Sequence, residues 1–203
     1  MASSSRILII DNGTNYLDHF VELLQDYQVE TVHWSHDFRA INDADLIVLS
    51  GTSYLPVVGA HTLYKHYLQL MKTCDKPIIG ICFGFHLIAK AFAKEVETGF
   101  FPHFGHFQTH VVNPHPIFCD DNQFIGHYKH AFRIRSMDDS FRVLARYRDG
   151  IAMAEHVHRP IVGIQFHPED HMEELSTDTY FQNTVAYLLE AYGDADSPGS
   201  GGK

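Results

Sequence analysis

The stretch PIIGICFGFHLIAKAF, from Pro77 to Phe92, places one cysteine between an apolar run and a segment with helical periodicity. The run before Cys82 is typical of a short buried strand, and the apolar residues after it recur at the spacing of a helix face. A strand that turns sharply into a helix displays the side chain at the turn, close to the backbone N–H groups of the helix start. Cys82 therefore occupies a position that is suited to a nucleophile.

Short apolar runs alternate with helical patterns along the first half of the chain. The run at 6–10 is typical of a buried strand and precedes a turn and a helical pattern, and further runs occupy 29–34 and 44–51. Strands that alternate with helices indicate a parallel sheet covered on both faces. Between Phe104 and Ile164 the runs are shorter and β-like, which indicates a more antiparallel region. We expect an α/β fold: a three-layer sandwich with a central, mostly parallel sheet flanked by helices, plus a smaller antiparallel region.

The length of 203 residues is sufficient for one domain with a sizeable core. We predict a single domain over residues 1–192, closed by a helix whose apolar residues lie between Leu175 and Leu189. The remaining residues, 193–203, are small, polar and of low complexity, and they are predicted to form a disordered tail.

Composition and charge argue against several classes of function. A formal net charge of −10 disfavours nucleic acid as a partner, because the phosphate backbone is negative as well. No apolar stretch approaches the roughly 20 residues that span a bilayer, and the apolar run near the N-terminus is too short for a secretory signal. We therefore expect a cytoplasmic protein that has no membrane partner.

The cysteine and histidine content favours a free thiol over a metal centre. The chain has three cysteines at irregular spacing: Cys74, Cys82 and Cys119. An odd number without regular spacing argues against a disulfide framework and against a metal cluster. Among the 16 histidines, His103, His106 and His110 have helix-compatible spacing, but their Phe- and Pro-rich segment does not favour a helix. We expect no metal site and no cofactor.

Three of the predicted strands end in short segments that contain candidate functional residues. These segments are Gly51-Thr52-Ser53, Cys82-Phe83-Gly84 and His167-Pro168-Glu169. Open α/β sheets bind their ligands at the carboxyl ends of the strands. A thiol needs a base to become a thiolate, and that base needs a carboxylate to orient it and to stabilise its charged form. His167 and Glu169 offer these two roles to Cys82.

The chain resembles the class I glutamine amidotransferases, whose signatures are a GICxGxQ nucleophile turn and a VQFHPE segment. Here the two signatures are GICFGFH, from Gly80 to His86, and IQFHPE, from Ile164 to Glu169, in the order of the family. The opening ILIIDNGTNY is similar to that of glutaminase subunits of GMP synthase. The segment KHAF, from Lys129 to Phe132, lies where the family has a histidine-containing substrate-binding strand.

The resemblance implies a mechanism. Cys82 attacks the side-chain amide of glutamine, His167 relays protons and Glu169 orients His167. A γ-glutamyl thioester forms, ammonia leaves, and water releases glutamate. Backbone N–H groups of Thr52 and Phe83 hold the oxyanion. The resemblance also implies six substrate contacts: Gly51, Gly84, His86, His130, Ala131 and Phe132. In the synthases of this family the ammonia passes to a partner domain or subunit, so this chain needs a separate synthase subunit.

Three departures from the family pattern leave the identity of the substrate undecided. The family usually has Gln at the position of His86 and commonly His or Met at the position of Phe85. Thr52 replaces a glycine of the synthases. The turn at Thr52 together with GICFG resembles the γ-glutamyl peptidase branch, which uses the same triad on γ-glutamyl amides. The chain is thus interpreted as a glutaminase for a synthase, with an autonomous γ-glutamyl hydrolase or a non-catalytic binding module as alternatives.

Overall fold

The computed structural model describes residues 5–35, 39–53, 65–93, 95–170 and 177–192. Its strands are β1 (Arg6–Asp11), β2 (Gln28–His33), β3 (Leu46–Leu49), β4 (Ile78–Ile81), β5 (Val96–Val111), β6 (Gln123–Met137), β7 (Phe141–Tyr147), β8 (Gly150–His156) and β9 (Ile161–Ile164). Its α-helices are α1 (Leu17–Leu23), α2 (Lys65–Thr73), α3 (Phe83–Phe92) and α4 (Thr177–Tyr192), and short 3₁₀ turns cover Arg39–Asp43 and Pro116–Phe118. The limits of the predicted domain stay a prediction, and the predicted tail at 193–203 lies outside the described residues.

The described strands form one mixed sheet in the order β2-β1-β3-β4-β9-β8-β7-β5-β6. The five strands from β2 to β9 pair in parallel, and the pairings from β9 to β6 are antiparallel. The expectation of a mostly parallel sheet with a smaller antiparallel region was therefore wrong. The antiparallel ladders contain more paired residues, because β5 and β6 are 16 and 15 residues long.

The long hairpin of β5 and β6 explains this error. The β-like region was predicted to begin at Phe104, yet β5 already begins at Val96 and includes the segment rich in Phe and Pro. Proline cannot donate a ladder hydrogen bond and is tolerated where the pairing is irregular. The register between the two strands shifts between Phe100 and His103, and Pro102 lies within that shift.

Helices cover both faces of the sheet, as expected for an α/β fold. Ile7 and Ile9 of β1 pack in one core with Phe20 of α1 and Phe181 of α4. The alternate residues of β1, Leu8 and Ile10, pack in a second core with residues of the other two helices: Met71 of α2 and Phe83 and Ile88 of α3. The period of two along the strand therefore supplies both cores. Among the described residues, no helix is both long enough and apolar enough to cross a membrane.

Close packing between α3 and the sheet fixes the position of the turn at Cys82. A Cβ atom on Gly84 would overlap the backbone oxygen of Leu49 in β3, so only glycine allows this approach. Phe85 is fully buried, and its ring occupies the space above Gly163 of β9. Phe85 thus belongs to the core between α3 and the sheet and does not line the neighbouring cavity.

Candidate active site

Cys82 lies at a sharp turn between β4 and α3. Its backbone has φ 49° and ψ −100°, a conformation that residues other than glycine rarely adopt. The Cys82 amide donates to the carbonyl of Ile164 in β9 at 2.7 Å, and its carbonyl accepts from the amide of His86 at 3.2 Å. These bonds hold the strained turn, and strain of this kind is concentrated at functional sites.

His167 and Glu169 follow β9, the strand next to β4, and form a buried pair. The Nδ1 atom of His167 lies 2.7 Å from Oε1 of Glu169, and the two side chains are 7% and 0% exposed. A carboxylate only accepts hydrogen bonds, so Nδ1 carries the hydrogen and Nε2 remains for another partner. The backbone amide of His167 donates to the carbonyl of His127 at 2.9 Å, which fixes the segment against β6.

Gly51, at the end of β3, lies beside both Cys82 and His167. A Cβ atom on Gly51 would lie 3.3 Å from Cε1 of His167 and 3.7 Å from Cβ of Cys82. The structure therefore brings the thiol and the imidazole together against this glycine. Gly51 was expected to contact substrate, and the structure places it next to the thiol–imidazole pair, outside the lining of the cavity.

The charges around His167 favour its protonated form. Burial lowers the His167 pKa, but the Glu169 carboxylate and the Cys82 thiolate both raise it, and the net result is a pKa well above the ordinary value of 6.5. Nε2 makes no well-directed hydrogen bond among the described residues, so the thiolate acts on it mainly through its charge. The arrangement can take a proton from Cys82 and hold the resulting ion pair.

A cavity of about 510 Å³ opens beside Cys82. This volume is within the range of about 300 to 1,000 Å³ that is usual for small-molecule sites. The cavity is lined by residues from several segments: Thr14, Asn15, Tyr16, Thr52, Ser53, Cys82, Phe83, His86, Phe104, Lys129, His130, Ala131, Phe132 and His167. Six of the expected oxyanion and substrate residues therefore line the cavity: Thr52, Phe83, His86, His130, Ala131 and Phe132. Gly51 and Gly84 do not line it; Gly51 packs against Cys82 and His167, and Gly84 packs against Leu49.

His86 presents a neutral imidazole to the cavity. It is 4% exposed, and burial lowers its pKa to about 4, although the side chain of Gln165 and the backbone of Phe132 oppose this shift. Neither ring nitrogen has a well-directed hydrogen bond among the described residues, and the amide of Gln165 is in the same situation. Buried polar atoms of this kind are usually satisfied by water or by a ligand.

Tyr16 and Lys129 form a wall of the cavity that the sequence reasoning did not assign. The Lys129 ammonium donates to the Tyr16 hydroxyl at 3.3 Å and lies 5.5 Å from the centroid of its ring. The Tyr16 ring lies 6.4 Å from that of His167, and the backbone oxygen of Lys129 lies 4.0 Å from Sγ of Cys82. Both residues lie in quoted segments, ILIIDNGTNY and KHAF, but no motif gave them a role.

The histidines considered for a metal do not converge. His103 is buried, whereas His106 and His110 are exposed along β5. Within the part of the chain that the structure describes, no three His, Cys, Asp or Glu side chains are arranged to hold a metal ion.

The chain is similar to known proteins over most of its length. The family model "Glutamine amidotransferase class-I" matches residues 8–187. A subunit of the glutamine-hydrolyzing GMP synthase of Methanobrevibacter smithii is 28% identical over 190 residues, which are 87% of this chain and 93% of that protein. GMP synthase (glutamine-hydrolyzing) of Ehrlichia chaffeensis is 28% identical over 176 residues, 81% of this chain but only 33% of that longer protein.

A solved structure shows the same fold. The crystal structure of a proposed GMP synthase subunit from Thermoplasma acidophilum superposes with a TM-score of 0.84 at 22% identity, over 97% of this chain and 100% of that one. Because the family model covers most of the chain, including the turn at Cys82 and the segment around His167, this protein belongs to the class I glutamine amidotransferase family.

Proposed function

We propose that this protein hydrolyses the side-chain amide of glutamine through Cys82, His167 and Glu169 and supplies the ammonia to a separate synthase subunit. The observation that carries the proposal is the buried Nδ1–Oε1 pair at 2.7 Å beside a strained cysteine turn. A nucleophile, a base and a group that orients the base are the three parts of a hydrolytic triad. Membership of an amidotransferase family supplies the reaction class.

The chemistry proceeds in two steps. His167 accepts the Cys82 proton on Nε2, and the thiolate attacks the γ-carbonyl carbon of glutamine. When the C–N bond breaks, His167 returns the proton to the leaving amine, so that ammonia departs and a γ-glutamyl thioester remains. His167 then activates a water molecule, which cleaves the thioester to glutamate and restores the thiol.

The negative charge on the γ-oxygen requires donors near Cys82. Phe83 begins α3, so its N–H belongs to the positive end of a helix. We propose that the backbone N–H groups of Phe83 and Thr52 bind the oxyanion, since both residues line the cavity beside Cys82. His86, His130, Ala131 and Phe132 are proposed to contact the rest of the substrate, and the Lys129 ammonium suits its α-carboxylate.

The partner is proposed from the names of the relatives. The Methanobrevibacter protein is named as one subunit of a GMP synthase, and this chain covers 93% of its length. By analogy with that subunit, we propose that a separate synthase subunit uses the ammonia. The substrate and product of such a reaction are metabolites of the cytoplasm, where we propose that the protein acts.

A second candidate is an autonomous hydrolase of γ-glutamyl amides. The cavity extends beyond Cys82 to the aromatic rings of Phe104 and Phe132, and its volume of about 510 Å³ leaves room for an amine larger than ammonia. His86 also differs from the glutamine that the family usually has there. The third interpretation, a binding module without catalysis, does not explain why Cys82, His167 and Glu169 lie together.

The test measures glutamate and ammonia released from L-glutamine, and amines released from a panel of γ-glutamyl dipeptides. The Cys82→Ala variant is compared with Cys119→Ser, which alters an exposed cysteine outside the cavity. We expect glutamine turnover that Cys82→Ala abolishes and Cys119→Ser retains. Turnover of dipeptides alone selects the second candidate.

A covalent assay removes the dependence on an activating partner. The glutamine analogue 6-diazo-5-oxo-L-norleucine is incubated with the protein, and the modified residue is identified by mass spectrometry. Labelling of Cys82 that glutamine slows supports the proposal even where turnover is weak. Absence of both turnover and labelling in the folded protein refutes it.

A further inference from the structure

The segment from His167 to Glu169 is contacted from two sides. On one side, the backbone amide of His167 donates to the carbonyl of His127 in β6 at 2.9 Å. On the other side, Nδ1 of His19 in α1 lies 2.9 Å from the backbone carbonyl oxygen of Glu169. Pro168 lies between these two contacts and has no N–H group with which to make another. The contact with His19 therefore acts directly on the residue that carries the carboxylate.

The chemistry of the two atoms decides the direction of the hydrogen bond from His19. A carbonyl oxygen only accepts, so Nδ1 of His19 must carry the hydrogen. Nδ1 carries a hydrogen both in the corresponding neutral tautomer and in the protonated imidazole, so the bond persists in either state of the ring. His19 is therefore a constant donor to the main chain at Glu169.

The imidazole of His19 is presented by a firmly packed part of the fold. The next residue, Phe20, is fully buried, and its ring lies 5.9 Å from that of Phe181 in α4. The amide of Phe20 donates to the carbonyl of Tyr16 at 3.2 Å, which closes the first turn of α1. The Tyr16 ring lies 5.8 Å from that of His19 and 6.4 Å from that of His167. The position of the donor is thus set by the core and by a neighbouring aromatic ring.

The pair formed by His167 and Glu169 depends on the position of the Glu169 carboxylate. Its Oε1 lies 2.7 Å from Nδ1 of His167, and both side chains are buried. A hydrogen bond weakens steeply when its angle is lost, and functional groups must be held within about 0.5 Å of their working geometry. Because the carboxylate is attached to the main chain that His19 contacts, this contact limits how far the carboxylate can turn away from the imidazole.

We infer that His19 is a positioning residue: its Nδ1–H group holds the carbonyl of Glu169 and thereby keeps the Glu169 carboxylate against Nδ1 of His167. His19 does not line the cavity, so it acts on Cys82 only through the His167–Glu169 pair. Its effect on the thiol depends on the contacts described, whereas its effect on glutamine turnover rests on the proposed function.

Two substitutions of the half-buried His19 separate the hydrogen bond from the bulk of the side chain. His19→Leu puts a methyl group where Nδ1 lies and removes the donor. His19→Asn keeps an amide N–H group at the same distance from the backbone. Leucine forms helices better than histidine, and asparagine forms them about equally well, so α1 should persist in both variants. Thermal unfolding of each variant confirms that the measurements come from folded protein.

The first experiment follows the alkylation of Cys82 by iodoacetamide as a function of pH. A looser carboxylate stabilises the imidazolium less, and the imidazolium then stabilises the thiolate less. We expect the half-point of the profile in His19→Leu to move to higher pH, and the rate at neutral pH to fall about threefold to tenfold, as for the loss of one hydrogen bond. His19→Asn should stay within about twofold of the wild type.

The exposed Cys119 is the internal control of this experiment, since its alkylation in the same samples should not change. A wild-type profile of Cys82 in a folded His19→Leu protein overturns the inference. A change of equal size in His19→Asn overturns it as well, because the effect then does not come from the donor.

The second experiment measures glutamine hydrolysis in a double-mutant cycle with Glu169→Gln. His19→Leu should lower kcat about threefold to tenfold while the KM for glutamine stays within about twofold, because His19 does not contact the substrate. In the Glu169→Gln background, where the carboxylate charge is absent, His19→Leu should lower kcat by less than about twofold. Equal factors in the two backgrounds indicate a general structural role and refute the action through Glu169.

The two proposals fail separately. If the wild-type protein neither hydrolyses glutamine nor is labelled by its analogue, the proposed function is refuted. The alkylation profiles still decide whether His19 positions the His167–Glu169 pair, because they require no substrate.

Discussion

Replacing Glu169 by glutamine tests the charge on the buried pair while keeping its shape. Glu169 is fully buried and lies 2.7 Å from Nδ1 of His167, so solvent screens the interaction little. A charge-assisted hydrogen bond of this kind contributes about 1.5 to 3 kcal/mol. If that energy stabilises the imidazolium formed during catalysis, its loss lowers the rate of Cys82 chemistry about 10- to 150-fold.

The assay is the rate of alkylation of Cys82 by iodoacetamide as a function of pH, together with glutamate formation from glutamine. The carboxylate favours the imidazolium, and the imidazolium favours the thiolate, so Glu169→Gln lowers the His167 pKa. The half-point of the alkylation profile should therefore move to higher pH in the variant, because the protonated thiol persists longer.

Asp170→Asn is the matched control. Asp170 is the next residue in the chain, and its carboxylate lies 2.8 Å from Nδ1 of His127, so this change also removes one charge beside a histidine. We expect its rates to stay within about threefold of the wild type, as usual for a partly exposed pair. A Glu169→Gln protein that is folded, reacts within threefold of the wild type and keeps the same profile would refute the role of Glu169.

Two further predictions concern stability. Because His86 has a pKa of about 4 in the folded protein and about 6.5 when unfolded, only the unfolded state gains a proton on it as pH falls, which destabilises the fold. Between pH 7 and pH 5 the wild type should therefore lose about 2 kcal/mol more of its free energy of unfolding than the His86→Gln variant, as measured by urea unfolding. Equal losses in the two proteins would contradict this prediction. Gly84→Ala should lower the free energy of unfolding by about 1 to 3 kcal/mol or more, because the added Cβ overlaps β3. Gly99→Ala is the control: its Cβ would meet only the Arg135 side chain, at 3.5 Å, so the free energy of unfolding should change by less than about 0.5 kcal/mol. Similar values for the two glycines contradict the packing argument.

The parallel half of the sheet could be predicted from the sequence because its signals are local. Each apolar run ends in polar residues, and the carboxyl ends of neighbouring parallel strands lie at one edge of a sheet. The register pairs Ile81 with Ile164, so the residues that follow, Cys82 and His167, come near one another. Their roles in catalysis stay a prediction.

The antiparallel half was less predictable. The pairing of β5 with β6 spans residues whose pattern is broken by Pro102 and by two exposed phenylalanines, Phe100 and Phe104. No periodic signal indicates a 16-residue strand there. The contact of Tyr147 with His130 is likewise set by the packing of β7 near β6, which no local motif encodes.

The position of β9 has a consequence for the order of events during synthesis. This strand inserts between β4 and β8, and it emerges after the whole antiparallel hairpin has been made. A nascent chain that ends before it carries Cys82 without His167, the residue that we propose as the base of this thiol. Pairing of strands so distant in sequence is also intrinsically slow. The pair that we propose to activate the thiol, Cys82 and His167, is therefore complete only late in folding, after β9 has entered the sheet.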